Sequence, residues 1–171
     1  MKDLSVIIPG RNEEFMAQTI KNVLENSRAD TEVIAICDGY WPNPPIEDHP
    51  KVTIVHLTEA IGQRAATNMG ARISQAKYIM KLDAHCAVSE GFDVSLIEDC
   101  QPDWTMVPSM NSLHAFDWKC LKCGGKTYQG VELETCEKCG GTEFEKVIVW
   151  KPRKRRLTVS WRFDDNLHFQ Y

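Results

Sequence analysis

The feature that most limits the fold of this chain is a rhythm of short apolar runs, each broken by a polar or glycine-bearing turn and followed by a helix-patterned stretch. Residues 4–8 (Leu-Ser-Val-Ile-Ile), 32–37, 51–56 and 78–82 read as buried strands. The first stops at Pro9-Gly10, the second at Asp38-Gly39 and the fourth at Asp83-Ala84-His85. Phe15, Ile20, Val23 and Leu24 lay an apolar stripe on a helix ending near residue 26. Asn12 is its expected cap, with Glu13 and Glu14 suiting the positive end of the helix dipole. Residues 40–50, with four prolines, form a loop. A second helix spans 60–76 with small residues along one side, a third spans 90–99, and residues 104–108 read as a further short strand. Alternation of this kind specifies an α/β fold, an open, mostly parallel sheet with helices on both faces.

That rhythm stops near residue 117. Residues 117–147 are rich in Lys, Glu, Gly and Cys and carry no core period. They contain two knuckles of one pattern, Cys120-Leu-Lys-Cys123-Gly-Gly and Cys136-Glu-Lys-Cys139-Gly-Gly. Paired CxxC motifs at this spacing are a zinc-ribbon signature, in which four thiolates close a tetrahedral, structural Zn²⁺ shell. The total of seven cysteines is odd, and Cys37, Cys86 and Cys100 are scattered, so a reduced compartment with one metal site fits better than a disulfide framework. The expected organisation is a core at 1–116, an insert at 117–146 and returning strands of a shortened core at 147–171, including 147–150 and 157–161. Lys151, Arg153, Lys154, Arg155 and Arg156 form a basic cluster, either a solvated hairpin or a contact for an anionic acceptor.

Composition narrows the function classes. With 43% hydrophobic residues, the 171-residue chain is not a disordered tail. A net charge of −4 argues against a general nucleic-acid coat. The apolar runs are too short for a membrane span. Met1-Lys2-Asp3 leads directly into a strand and leaves no room for a signal peptide, so the expected compartment is the cytoplasm.

Open α/β sheets bind ligands at the carboxyl ends of their strands. No GxGxxG turn follows the first strand and no GxxxxGK[ST] occurs, which excludes a dinucleotide fold and a P-loop. Asp83 and His85, two positions apart just past a strand, are placed to turn toward one cation that would bridge a nucleotide diphosphate. A carboxylate with an imidazole suits Mn²⁺ better than Mg²⁺ or Ca²⁺, which prefer all-oxygen shells. The same tripeptide also fits an ordinary strand-end turn in which Asp83 caps the next segment.

The order Ser5-Val-Ile-Ile-Pro-Gly-Arg-Asn-Glu13, Cys37-Asp-Gly39, Gly62 to Asn68-Met-Gly70 and Tyr78-Ile-Met-Lys-Leu-Asp-Ala-His85 resembles the nucleotide-binding half of GT-A fold, family-2-type glycosyltransferases. Residues 70–86 look closer still to polypeptide N-acetylgalactosaminyltransferases, which also carry Asp-x-His. The resemblance covers about residues 4–110. It implies that Pro9, Arg11 and Glu13 border the nucleoside pocket and that Asp38 accepts a hydrogen bond from uracil N3–H. It also implies that Asp83 and His85 are catalytic metal ligands, with the Ala84 backbone near the ribose. The family's Arg-Asn on the second helix is here Thr67-Asn68; Arg64, one turn earlier, either reaches the diphosphate instead or is solvated. His114 and His168 are candidates for a third metal ligand, and the late acidic pair Asp164-Asp165 is a candidate for the catalytic base.

The function implied is metal-dependent, hexosyltransferase-like transfer of a sugar from a UDP-sugar to an acceptor the sequence leaves open: glycan, protein or modified nucleic acid. Oligomeric state is equally open. Two alternatives stand beside it: a zinc-ribbon adaptor retaining an inactive nucleotide fold, and a nucleotidyltransferase, which needs further carboxylates near the first pair.

Overall fold

Four strands carry the α/β layer: β1 (Leu4–Gly10), β2 (Thr31–Cys37), β3 (Val52–His56) and β4 (Tyr78–Lys81). They pair in the order β3-β2-β1-β4, every neighbour parallel. The computed structural model describes residues 1–156, 162–163 and 169–170. Three helices follow strands: α1 (Met16–Asn26), α2 (Gln63–Ile73) and α3 (Phe92–Asp99).

Both faces of β1 and β2 are apolar, as strands covered on two sides must be. Val6, Ile8, Val33 and Ala35 cluster with Met16, Ile20 and Val23 of α1 and Phe92 of α3. Ile7, Ile34 and Ile36 cluster with Ala66 of α2 on the other face. The buried residues of α1, Met16, Thr19, Ile20 and Val23, recur at helical spacing. In α2 the buried residues are Ala66 and Gly70, so the helix sits close to the sheet. A Cβ on Gly70 would lie 2.5 Å from Ile7 Cγ2.

Three local expectations need correction. Strand β1 does not stop at Pro9 but runs through Gly10, pairing Pro9 with Ile36 and Gly10 with Cys37. Proline is tolerated because the β4 ladder ends at Ile7↔Lys81, so no partner on that side needs an N–H from residue 9. Helix α1 starts at Met16 with Phe15 as its N-cap, no side-chain cap and no acidic residue in its first turn. Asn12 instead adopts a left-handed backbone (φ 55°), and the chain turns through 11–15 before the helix begins. Residues 104–108 are not a strand. They have no ladder partner among the described residues, and Trp104 and Val107 are exposed.

The chain divides into two compact units, Met1–Met106 and Val107–Tyr171. The second is antiparallel: β5 (Asn111–Cys120), β6 (Lys126–Tyr128) and β7 (Phe144–Arg156) pair in the order β6-β5-β7. Two register shifts, at 111/113 and 114/116, bend the β5–β7 ladder. Residues 147–150 lie in β7, and two short strands, β8 (Arg162–Phe163) and β9 (Phe169–Gln170), pair antiparallel. The strand expected at 157–161, Asp164-Asp165 and His168 lie outside the described residues.

Candidate functional site

Because β1 and β2 run past the last β4 pairing, their carboxyl ends stand beside the segment that leaves β4. Asp38 follows β2 directly and is buried, and its backbone N–H donates to Gly10 O at 2.8 Å. Its carboxylate accepts the N–H of Ile61 at 2.7 Å and of Gly62 at 2.9 Å, tying the entry of α2 to the end of β2. Gly39 is required twice over: its φ is +72°, and a Cβ there would lie 2.6 Å from Ala60 N.

The tripeptide after β4 divides by exposure. Ala84 is 1% exposed, and its carbonyl accepts the Thr19 hydroxyl at 2.9 Å. The same hydroxyl oxygen accepts the Cys86 N–H at 3.2 Å. One buried threonine of α1 thus pins the backbone on both sides of residue 85. The flanking Asp83 and His85 side chains remain 44% and 57% exposed.

These two side chains have different neighbours. Asp83 Oδ1 pairs with the Lys81 ammonium and accepts from Gln63 Nε2 at 3.2 Å. His85 Nδ1 lies 3.2 Å from Glu13 Oε2. Glu13 is free to make this contact because it precedes α1. Pro9 is buried in β1, while Arg11 and, on α2, Arg64 and Asn68 are exposed. Thr67 turns its hydroxyl back onto Gln63 O at 2.8 Å. Trp41, 80% exposed, stacks on His56 with ring centres 4.1 Å apart, beside the ends of β2 and β3.

Thr19, Gln63, Lys81 and Trp41 were not singled out by the sequence reading. The signal for Thr19 was a polar residue on the apolar stripe of α1; Lys81 and Gln63 lie inside the quoted stretches 78–85 and 62–70 without a role of their own, and Trp41 lies in the proline-rich loop. A separate hollow of about 370 Å³, lined in part by Lys2, Asp30, Glu32 and Gln75, lies at the amino ends of the strands, away from this chemistry.

The second unit holds a different centre. Sγ atoms of Cys120, Cys123, Cys136 and Cys139 all lie within 4.8 Å of one another. This is the one group of three or more His, Cys, Asp or Glu ligands at that spacing among the described residues. Cys120 and Cys139 sulfurs are 3.6 Å apart, and Cys123 and Cys136 sulfurs 3.7 Å. A disulfide would need about 2.05 Å. A tetrahedron with metal–sulfur bonds of about 2.3 Å has edges of about 3.8 Å, so the thiols stand at cation-binding distances.

The two knuckles fold alike. Cys120 N–H donates to Gly125 O at 2.9 Å and Cys136 N–H to Gly141 O at 2.7 Å, while Gly124 and Gly140 each donate to the first cysteine carbonyl at 2.8 Å. Gly124 and Gly140 have φ of +70° and +66°; a Cβ on Gly125 or Gly141 would press within 3.2 or 3.1 Å of a cysteine sulfur. Backbone N–H groups at Cys123 and Lys122 pull the Cys120 thiol down to about 7. At Cys139 the Gly141 N–H pulls the same way, but the neighbouring sulfurs prevail and hold that thiol up at about 12. By contrast, burial raises Cys37 to about 11 and also raises Cys86, which leaves both as inert thiols.

In the second unit His114 is bound to Asp117, its Nε2 2.7 Å from Oδ1. Among the described residues, no helix is long and apolar enough to cross a membrane.

Comparison with known proteins places the first unit. A Drosophila melanogaster protein named "Putative polypeptide N-acetylgalactosaminyltransferase 13" is 28% identical over 114 residues, covering 56% of this chain and 20% of that protein. The chain therefore spans about a fifth of the length of this curated relative. The solved mannosyltransferase PcManGT from Pyrobaculum calidifontis, in complex with GDP-Man and Mn²⁺, has a TM-score of 0.44 at 16% identity, over 71% of this chain and 38% of its own. The family described as Glycosyl transferase family 2 matches residues 5–110, a span that takes in β1 to β4, all three helices and the Asp83–His85 turn. The parallel α/β layer expected from the sequence is the GT-A-type fold of that match, and the chain belongs to glycosyl transferase family 2.

Proposed function

We propose that this chain binds a UDP-sugar at the carboxyl ends of β1, β2 and β4 and serves transfer of the sugar to an acceptor. The observation that carries the reading is the Asp83-Ala84-His85 turn. Thr19 anchors its middle residue inward, which leaves a carboxylate and an imidazole facing solvent at the end of a family-2 sheet. The relative named for N-acetylgalactosamine transfer supports a nucleotide-sugar donor.

Asp83 and His85 are the residues that would hold a divalent cation, Mn²⁺ by donor chemistry. The Asp83 carboxylate already attracts a cation, the Lys81 ammonium. When bound, the metal neutralises charge developing on the departing diphosphate. Around it the chain's own groups orient the donor. Glu13 holds the His85 ring through Nδ1, so Nε2 is the nitrogen a cation would use. Arg64, on the exposed first turn of α2, reaches toward phosphate oxygens, with Asn68 one turn on. Pro9 and Arg11 border the nucleoside. Asp38 meets uracil N3–H with the lone pairs that Ile61 and Gly62 leave unused. In the second unit we assign Zn²⁺ to Cys120, Cys123, Cys136 and Cys139, a closed shell that is structural.

Calorimetry with UDP, with and without Mn²⁺, tests the donor site. Wild-type protein is expected to bind UDP only with Mn²⁺, and Asp83→Ala to weaken that binding by about tenfold or more. Absence of Mn²⁺-dependent UDP binding in the wild type would sink the donor reading and leave the adaptor reading in its place.

A further inference from the structure

The two units carry charge of opposite sign. By sequence, residues 1–106 hold nine Lys and Arg against sixteen Asp and Glu, a net of −7, whereas residues 107–171 hold eleven against eight, a net of +3. The chain's overall −4 hides this separation. Five of the eleven cations, Lys151, Arg153, Lys154, Arg155 and Arg156, fall in the last six positions of β7.

Lys151 and Arg153 of that run adjoin a column of flat side chains crossing all three strands of the β6-β5-β7 sheet. The His114 ring of β5 lies 4.7 Å from the Tyr128 ring of β6, and the Arg153 guanidinium of β7 lies 4.7 Å from the Tyr128 ring centre. His114 is steadied from behind by Asp117, 2.7 Å away, and Lys151 stands opposite His114 in the ladder. Tyr128 is 42% exposed, and Lys126, Lys151 and Arg153 are exposed. Of the acids on this sheet, Asp117 is engaged by His114, and Glu145 by Lys119 at 2.6 Å.

An acidic polypeptide would need the cations alone. A preordered column ending in a guanidinium suits a ligand with flat bases on an anionic backbone, because the guanidinium both stacks on a base and pairs with phosphate. We propose that this face of the second unit binds single-stranded nucleic acid, with a base on the Tyr128–Arg153 stack and phosphates at Lys126 and Lys151. The inference does not depend on the donor-site reading.

Fluorescence anisotropy on the full, zinc-loaded chain tests it, with oligo-dT and oligo-U of about 15 nucleotides against a duplex of equal length and polyglutamate. Both single strands are expected to bind, with a log–log salt slope of about −2 to −3.5 for three to five neutralised phosphates. Tyr128→Ala is expected to weaken binding about fivefold or more while Tyr128→Phe retains it. Arg153→Lys, which keeps the charge and loses the plane, should weaken binding at unchanged salt slope. No binding at about 50 mM salt, or duplex or polyglutamate bound as tightly as single strands, overturns the proposal. So does Tyr128→Ala or Arg153→Lys with wild-type affinity and full zinc content.

Discussion

The two units reach stability by different physical routes. In the first, Val6, Ile7, Ile8, Val33, Ile34 and Ile36 are at most 1% exposed, and burial of apolar surface on both faces of one sheet does the stabilising. In the second, the buried apolar residues among those described are Ala115, Trp118, Cys120 and Cys136, and two of these four are sulfurs of the cysteine cluster. A sheet with so little core needs a staple. The lesson is that one family-2 layer stands on its apolar side chains, while the second sheet gathers its few buried groups around four clustered thiols.

The sharpest way to break this contrast is to disable the thiol cluster. Cys136→Ser, or a chelator, is expected to abolish hydrogen-exchange protection across β5 and β7 while β1 and β2 keep theirs. Structural zinc sites supply about 10–16 kcal/mol of apparent binding energy, more than the second unit's few buried side chains replace. Protection persisting in metal-free β5–β7 would remove the contrast altogether. Gly70→Val probes the opposite unit, since its side chain would collide with Ile7. Overpacking of this kind costs about 1–3 kcal/mol, and the melting transition of the first unit should fall with zinc content unchanged.

The smallest expected effect concerns Asp93, buried at the start of α3. Its carboxylate accepts N–H groups of Arg28, Ala29 and Val94 and the Thr31 hydroxyl. Burial by itself would raise its pKa, but the Thr31 hydroxyl and the N–H groups of Arg28, Ala29 and Val94 outweigh it and hold the carboxyl below its ordinary value. Such a depressed group stabilises fully above its unfolded pKa of about 3.9 and loses that contribution as pH falls through the lower folded value. Asp93→Asn should therefore cost about 1–2 kcal/mol at neutral pH and flatten the acid limb of a stability–pH curve. An unchanged acid limb would show that the clamp is not a charged one.

How much of this was legible in the sequence differs by residue for physical reasons. The positions of β1 to β4 followed from short apolar runs, because a strand buried on two faces has little compositional freedom. The cysteine knuckles were equally plain, since four sulfurs and their glycines are constrained by local geometry. The start of α1 was misplaced because Asn12 looked like a cap but takes a left-handed turn, which is what frees Glu13 to meet His85. The segment at 104–108 looked like a strand, yet a strand exists only where a partner ladder does.

By itself, then, the chain's order of residues determined the α/β layer, the thiol cluster and the set of polar groups at the strand ends. Only tertiary structure decided how those groups are held. Thr19 meets Ala84 across 65 positions, Glu13 meets His85 across 72, and Asp38 caps N–H groups more than 20 residues away. Contacts at such separations depend on strand register and helix docking, which local residue preferences do not encode.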